Sequence, residues 1–492
     1  MLLLGIDVGT SSVKVSVVDS ETQNAIASAQ YPDSESPILS PKPGWAEQAP
    51  DMWWQQAQQA IHLCNNSGLY NPDDISAIGI AYQMHGLVLV NKDQQVLRDS
   101  IIWCDSRAVD IGNKAFRDIG EKRCLSHLLN SPGNFTASKL AWVKLNEPQI
   151  YDQIDKIMLP GDFIAMKLTG EITTSVSALS EGIFFDFINN RLSKDILNYF
   201  DFSEDMFPPI QPVFSNHGKL LRSVAEKLKL KAGIPITYKA GDQPNNALSL
   251  NVLKPGEVAA TAGTSGVIYG VSDKLTFDPQ SRVNTFAHVN YTERQKRLGV
   301  LLCINGTGRL YSWAKSLFGP SLSFAQMNEK AAQASSGSYG LRILPFGNGT
   351  ERMLNNKPVG AHFHNIDLNL HGQAYIFRAV QEGIACAFRY GLDIMRENGM
   401  NPSVIRAGKA NLFLSDLFVE IFVNATGVPV ELYKNDGSLG AALGAGTGAG
   451  IFASATEAFS NMKKIKVVEP SGNRFEPIYQ DWKSLLQTQL AK

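Results

Sequence analysis

Apolar residues run almost without interruption through MLLLGI, and Val13, Val15 and Val17 then alternate with polar positions. That is the pattern of a buried strand followed by a half-buried one, with Gly9, Thr10, Ser11 and Ser12 as the tight turn between an antiparallel pair. ISAIGIAYQ, LVLVNKD, SIIWC and IPITYKA predict further strands, while DMWWQQAQQAIHLC has helical spacing. In FRAVQEGIACAFRYGLDIMRENG apolar residues recur at i, i+3, i+4 and i+7 up to Gly399, and LFLSDLFVEIFVNATG predicts a second long helix ending at Gly427. Strands alternating with helices predict an α/β protein. Near the end, DGSLGAALGAGTGAGIFAS concentrates small residues on a predicted helix, as close packing requires.

The opening pattern returns once. VAATAGTSGVIYGVS, residues 258–272, again sets a Gly-Thr-Ser turn (Gly263, Thr264, Ser265) between small apolar residues and a β-branched run. Two strand-turn-strand units, one opening each half, predict two similar domains facing each other across a central cleft. Their boundary falls near 245 to 256, with Lys254-Pro255-Gly256 as its turn. A length of 492 residues at 44% hydrophobic content suits two or three domains.

Charge excludes one class of partner: 45 Lys plus Arg against 46 Asp plus Glu, with basic residues gathered only in short spots such as 227–231 and 462–466, argues against nucleic acid. The five cysteines stand singly, without zinc or disulfide spacing, so a reducing compartment fits best. No signal-peptide pattern or membrane-length apolar run is present, and the expected location is cytoplasmic.

Asp7 raises the question of chemistry, since an isolated carboxylate in a buried strand is costly. At a strand end beside a hydroxyl-rich turn it either caps that turn or lies next to a Mg-nucleotide, with the turn's N–H groups and hydroxyls facing the phosphates. Asp242 stands where IPITYKA gives way to Gly241-Asp242-Gln243-Pro244, and is either a helix cap or an anchored general base. Met84-His85-Gly86 and Asp105-Ser106-Arg107 follow two other predicted strands; with Trp103 as an aromatic wall they could ring a polyhydroxylated substrate, or be a turn histidine and a surface ion pair. His362 and His364 lack a third ligand and read as loop residues. Neither a Rossmann nor a P-loop motif occurs.

In order and spacing, GIDVGTSSVK, GWAEQAPDMWW, QMHG, WCDSR, GDQPNNA, AGTSG and SLGAALGAG resemble the FGGY family of carbohydrate kinases within the actin-like ATPase superfamily, and most closely its xylulokinases. The resemblance spans nearly the whole chain. It implies two ribonuclease-H-like domains flanking the cleft: a sugar-binding domain at 1–245 and an ATP-binding domain at 246–492. It further implies phosphorylation of D-xylulose by ATP with Mg2+. Asp242 would be the base and would touch substrate together with Gln83, Met84, His85, Gly86, Trp103, Asp105 and Arg107. Asp7 would act on the metal through water. Gly9, Thr10, Ser11, Ser12, Lys14, Gly263, Thr264, Ser265, Gly308, Gly408 and Asn411 would serve the nucleotide. Two motifs depart from the family: Gly241-Asp242-Gln243 is closer to the glycerol-kinase form, and Arg406-Ala407-Gly408-Lys409-Ala410-Asn411 replaces a glycine-richer nucleotide loop. Another ketose or polyol such as ribulose or glycerol, a chaperone or filament protein on the same fold, and a sugar sensor remain alternatives. A homodimer is left open.

Overall fold

The computed structural model describes residues 1–492, the side chain of Asn473 excepted. Strand β1 (Leu2–Val8) pairs antiparallel with β2 (Val13–Asp19), and Gly9 N donates to Ser12 O at 3.0 Å to close the expected hairpin. β3 (Ala25–Tyr31) continues the meander beyond β2, while β4 (Ile75–Tyr82) and β5 (Ile236–Gly241) add parallel strands on the other side of β1. The order is β5-β4-β1-β2-β3. Leu4, Ile6, Val8, Val13, Val15 and Val17 bury against Trp53, Ala57 and Ile61 of helix α1 (Pro50–Asn65).

The second sheet is built from β6 (Val258–Ala262), β7 (Gly266–Ser272), β8 (Asn284–Ala287), β9 (Leu298–Ile304), β10 (Ile405–Gly408), β11 (Val430–Tyr433) and β12 (Lys464–Val468), in the order β8-β9-β7-β6-β10-β11-β12. Without its edge strands β8 and β12 it repeats the first: an antiparallel β9-β7-β6 meander followed by parallel β10 and β11. The fold is therefore a duplicated ribonuclease-H-like α/β unit.

Four helices matter for the site: α2 (Asp242–Ser249), α3 (Thr307–Phe318), α4 (Gln373–Glu397) and α6 (Gly437–Gly448), with α5 (Asp416–Thr426) packed on α4. α6 is the small-residue segment, and it lies on the first sheet although it follows β11 of the second. An added Cβ at Gly5 would overlap Ser438 O, and one at Gly79 would overlap Ala441 O, so helix and strands meet at backbone distance. Ala441, Ala442 and Ala445 bury there with Leu3, Ala77 and Ala81.

Some predicted elements differ. LVLVNKD and SIIWC shorten to Val88–Val90 and Ser100–Ile101, because each finds only a short partner strand and a turn closes at once, Asp105 N donating to Ile102 O. The helix at 411–426 begins as a 3-10 turn (Asn411–Leu414), and Ser415 then caps α5 by accepting from Phe418 N at 3.1 Å. His362 and His364 are on a strand, Gly360–His364, not in a loop: Pro358 precedes the strand and Gly360 begins it, so neither interrupts it. Among the described residues no helix is long and apolar enough to cross a membrane.

Candidate active site

The second Gly-Thr-Ser turn is shaped by the start of α3. Gly308 N donates to Gly263 O at 3.0 Å, Arg309 N to Thr264 O at 3.1 Å, and the Thr307 hydroxyl to Gly263 O at 3.2 Å. An added Cβ at Gly308 would overlap Gly263 O, so this glycine is required by backbone approach within the protein. Thr264 is exposed and Ser265 half-buried. A Cβ on Gly263 would meet Asn411 Nδ2 at 3.4 Å, and one on Gly408 would meet Asn435 Cβ at 3.2 Å. The structure thus gathers Gly263, Gly408 and Asn411, the last in the left-handed region at φ 53°.

At the cleft floor three carboxyl groups converge from different elements. Asp7 is the penultimate residue of β1, opposite Lys14, Asp242 opens α2 directly after β5, and Asp436 caps α6 by accepting from Ser438 N at 2.9 Å. An added Cβ at Gly437 would overlap Asp7 Oδ2, so Asp7 lies against the start of α6. Burial, then the charge of Asp436, pushes the Asp7 carboxyl up to about 6, with Lys14 offsetting part of the rise. Burial, then the charge of Asp7, pushes Asp242 up to about 7, against bonding to Gln243. Gln243 Oε1 and Asn435 Oδ1 are buried there without partners. A surplus of negative charge with unsatisfied oxygen acceptors is a donor set that fits a hard divalent cation such as Mg2+.

On the other side, the first turn is tied to the predicted sugar loops. The Thr10 hydroxyl donates to Gln83 Oε1 at 3.0 Å and accepts from Trp103 Nε1 at 2.9 Å, and Gln83 Nε2 donates to Gln48 Oε1 at 3.1 Å. Gln83 is thereby buried and satisfied, whereas Trp103 is 50% exposed. Ser11 and Lys14 are exposed and Ser12 half-buried. Met84 fills the space that a Cβ on Gly241 would need, 2.6 Å from its Cγ, and Gly86 abuts Pro160. The half-buried His85 ring packs 4.9 Å from Phe135 and 5.5 Å from Phe286, one ring from each half of the chain. Burial, then the Lys139 charge, lowers His85 to about 3, so the ring is neutral.

Asp105 and Arg107 are an enclosed pair, neither exposed to a ligand nor on the surface. Arg107 Nε lies 3.0 and 2.9 Å from the two Asp105 oxygens, its Nη1 reaches Glu47 at 2.6 Å, and its guanidinium stacks 3.8 Å from the Trp45 ring centroid. The Arg107 and Asp105 side chains are 1% and 0% exposed, because Trp45, Glu47 and Trp142 close over them. They hold the Trp103 loop and leave no polar atom for a ligand.

Other polar groups of the cleft escaped the sequence reading. Glu351 accepts from Asn305 N at 2.8 and 3.0 Å and is pushed up to about 7 by burial. Arg352 extends from the second half to within 5.4 Å of the Phe135 ring centroid in the first. Glu181 and Lys139 lie buried beneath His85. Single charges inside apolar runs such as SVSALSEGIFFDF carry no local signal; Asp436 did, as an Asp one position ahead of a predicted helix.

A duplicated ribonuclease-H-like fold with paired Gly-Thr-Ser hairpins and a carboxylate at the cleft floor is the architecture of the two-domain sugar kinases and their actin-like relatives, and the family matches decide between them. The N-terminal domain of the FGGY family of carbohydrate kinases matches residues 2–249, and its C-terminal domain matches 258–449. The chain belongs to that family. It is 30% identical over 446 residues to a protein named xylulose kinase from Escherichia coli (strain K12), covering 90% of this chain and 88% of that one. A ligand-bound structure of xylulose kinase from Lactobacillus acidophilus superposes with a TM-score of 0.90 at 21% identity, covering 100% of this chain and 99% of that one. A structure of gluconate kinase from Lactobacillus acidophilus gives 0.89 at 21% identity, over 100% and 98%. At these identities the solved structures establish the fold alone.

Proposed function

We propose that this carbohydrate kinase transfers the γ-phosphoryl group of ATP to the terminal hydroxyl of D-xylulose, giving D-xylulose 5-phosphate. The observation that carries the reading is Asp242: half-buried, at the junction of β5 and α2, with a carboxyl pushed up to about 7. A base of that strength is suited to take the hydroxyl proton as the oxygen attacks phosphorus in line. Gly263, Thr264 and Ser265, with Gly408 and Asn411, face ATP from the 246–492 half, and Gly308 shapes their turn. Gly9, Thr10, Ser11, Ser12 and Lys14 face the phosphates from the 1–245 half. Asp7, through water, with Asp436 beside it, would hold Mg2+, which when bound offsets phosphate charge. His85, Met84 and Trp103 receive the acceptor, while Gln83, Gly86, Asp105 and Arg107 support them.

The acceptor is chosen on the name of the Escherichia coli relative together with GWAEQ and QMHG, since a gluconate kinase shares the fold. A coupled ADP-release assay over D-xylulose, D-ribulose, L-ribulose, glycerol and gluconate tests it. D-xylulose should give the highest kcat/KM. An inverted centre leaves one or two buried polar groups unpaired and lowers kcat/KM roughly tenfold to a hundredfold. If glycerol or gluconate outperforms D-xylulose, the acceptor is wrong while the kinase stands.

A further inference from the structure

Glu181 ends the short helix Val176–Glu181 and is fully buried. Its Oε1 accepts from the His85 backbone N–H at 3.1 Å, and its own backbone carbonyl lies 3.1 Å from His85 Nδ1. Its Oε2 has no partner and sits beneath Gly241, 2.7 Å from where a Cβ on that glycine would be. Burial, above all, holds this carboxyl well above the usual carboxylate range, with the Asp242 charge adding to the rise.

A carbonyl oxygen only accepts, so the His85 nitrogen facing it carries the ring's proton. With the ring neutral, Nε2 is left with a lone pair; it has no partner within the chain and is not among the enclosed unpaired atoms of this half-buried ring. The His85 backbone is in the left-handed region at φ 64°, which a residue with a side chain occupies only when its surroundings hold it there. Here Glu181 holds the N–H, and Lys139 Nζ donates to His85 O at 2.9 Å from the opposite side.

We propose that Glu181 is a positioning residue for acceptor recognition: its carboxyl on the His85 N–H and its carbonyl on Nδ1 set the ring so that Nε2 accepts a hydrogen bond from an acceptor hydroxyl. The inference rests on the assignment of the acceptor to the His85 side of the cleft. It defines what can face that ring. A lone pair repels a carboxylate, so this one position takes a hydroxyl donor.

Imidazole 15N NMR of the intact enzyme, with His85→Ala identifying the signal, should show the Nδ1–H tautomer at neutral pH. The Nε2 resonance should move when the acceptor binds. An Nε2–H tautomer or an imidazolium would overturn the inference without any Glu181 variant having to fold. In kinetics with whichever acceptor is used best, Glu181→Ala should raise the acceptor KM roughly tenfold, the loss expected for one displaced hydrogen bond, with the ATP KM nearly unchanged. Glu181→Gln keeps an oxygen for the His85 N–H and should restore most of that loss. In a His85→Ala background Glu181→Ala should add little. Equal losses for sugar and ATP, or a full additional loss in the double variant, would make Glu181 a structural residue only and overturn the proposal. If His85→Ala leaves the acceptor KM unchanged, the acceptor assignment falls and this inference falls with it.

Discussion

In Asp242→Asn the side chain keeps its shape and loses a carboxyl that burial and the Asp7 charge push up to about 7 from an ordinary 3.8. The folded state binds that proton more tightly than the unfolded chain does. The stability conferred by the proton is therefore complete below the unfolded value and is lost as pH rises through about 7, where the wild type must hold the charge. A gap of roughly three units at about 1.4 kcal/mol each sets a ceiling near 4 kcal/mol. Asp242 is only half-buried and shares the cost with Asp7, so about 1–2 kcal/mol is the working figure, a Tm gain of a few degrees for domains of this size. Differential scanning calorimetry of both proteins from pH 4 to 8, without nucleotide or Mg2+, should show coincident melting at the acid end. The variant should melt progressively higher toward pH 8. Turnover should meanwhile fall by roughly 10² to 10⁴, the contribution of a positioned base. A variant that melts lower than wild type by the same amount at every pH would make Asp242 a helix-start residue that stabilises α2, and turnover within a few-fold of wild type would remove it as the base.

Gly437→Ala sets a methyl group where Asp7 Oδ2 lies, so it should raise the Mg2+ concentration needed for half-maximal activity roughly tenfold while the acceptor KM changes little; an unchanged Mg2+ titration would separate Asp7 from the metal. Gly79→Ala forces α6 off the first sheet and should cost about 1–3 kcal/mol in chemical denaturation, and a neutral result would mean the helix is not seated there. Mg2+, a non-hydrolysable ATP analogue and acceptor together should reduce the radius of gyration in small-angle scattering, because phosphate turns and acceptor loops come from different halves; no change would refute closure.

What the sequence disclosed followed physical locality. The two hairpins were legible because each strand-turn-strand unit is contiguous and its alternation survives burial, and the small-residue run was legible because only backbone contact demands so many glycines and alanines. Asp7 and Asp242 stood out as carboxylates at the ends of apolar strands. The reach of Arg352 to Phe135, the Glu181 to His85 bonds and the crowding of Asp436 on Asp7 were not legible, since each joins segments between 96 and more than 400 residues apart. Asp105 and Arg107 misled for a related reason. A charged pair after a short strand looks exposed until Trp45 and Glu47, some sixty residues earlier, close over it.

The two halves interlock in both directions, and this constrains how the cleft can work. α6 crosses from the second half to lie on the first sheet, with Gly440 against Ser249 of α2, so Asp7, Asp242 and Asp436 are carried by one layer of packed backbone. In return, the helix Val176–Glu181 bonds to β8 of the second sheet: the Ser177 hydroxyl donates to Ala287 O at 2.9 Å, and Ala287 N donates to the Ser180 hydroxyl at 2.9 Å. A division at residue 245 would run through α2, which packs as one piece with α6 and β5. The elements that carry the three carboxyl groups thus pack directly on one another. The Gly263–Ser265 turn, borne by the second sheet and α3, is the part that can approach them. Closing the cleft would bring phosphates to a preset arrangement of acids, which is the economical order for phosphoryl transfer, because neighbouring buried carboxyl groups are costly to bring together and are brought together once, at folding.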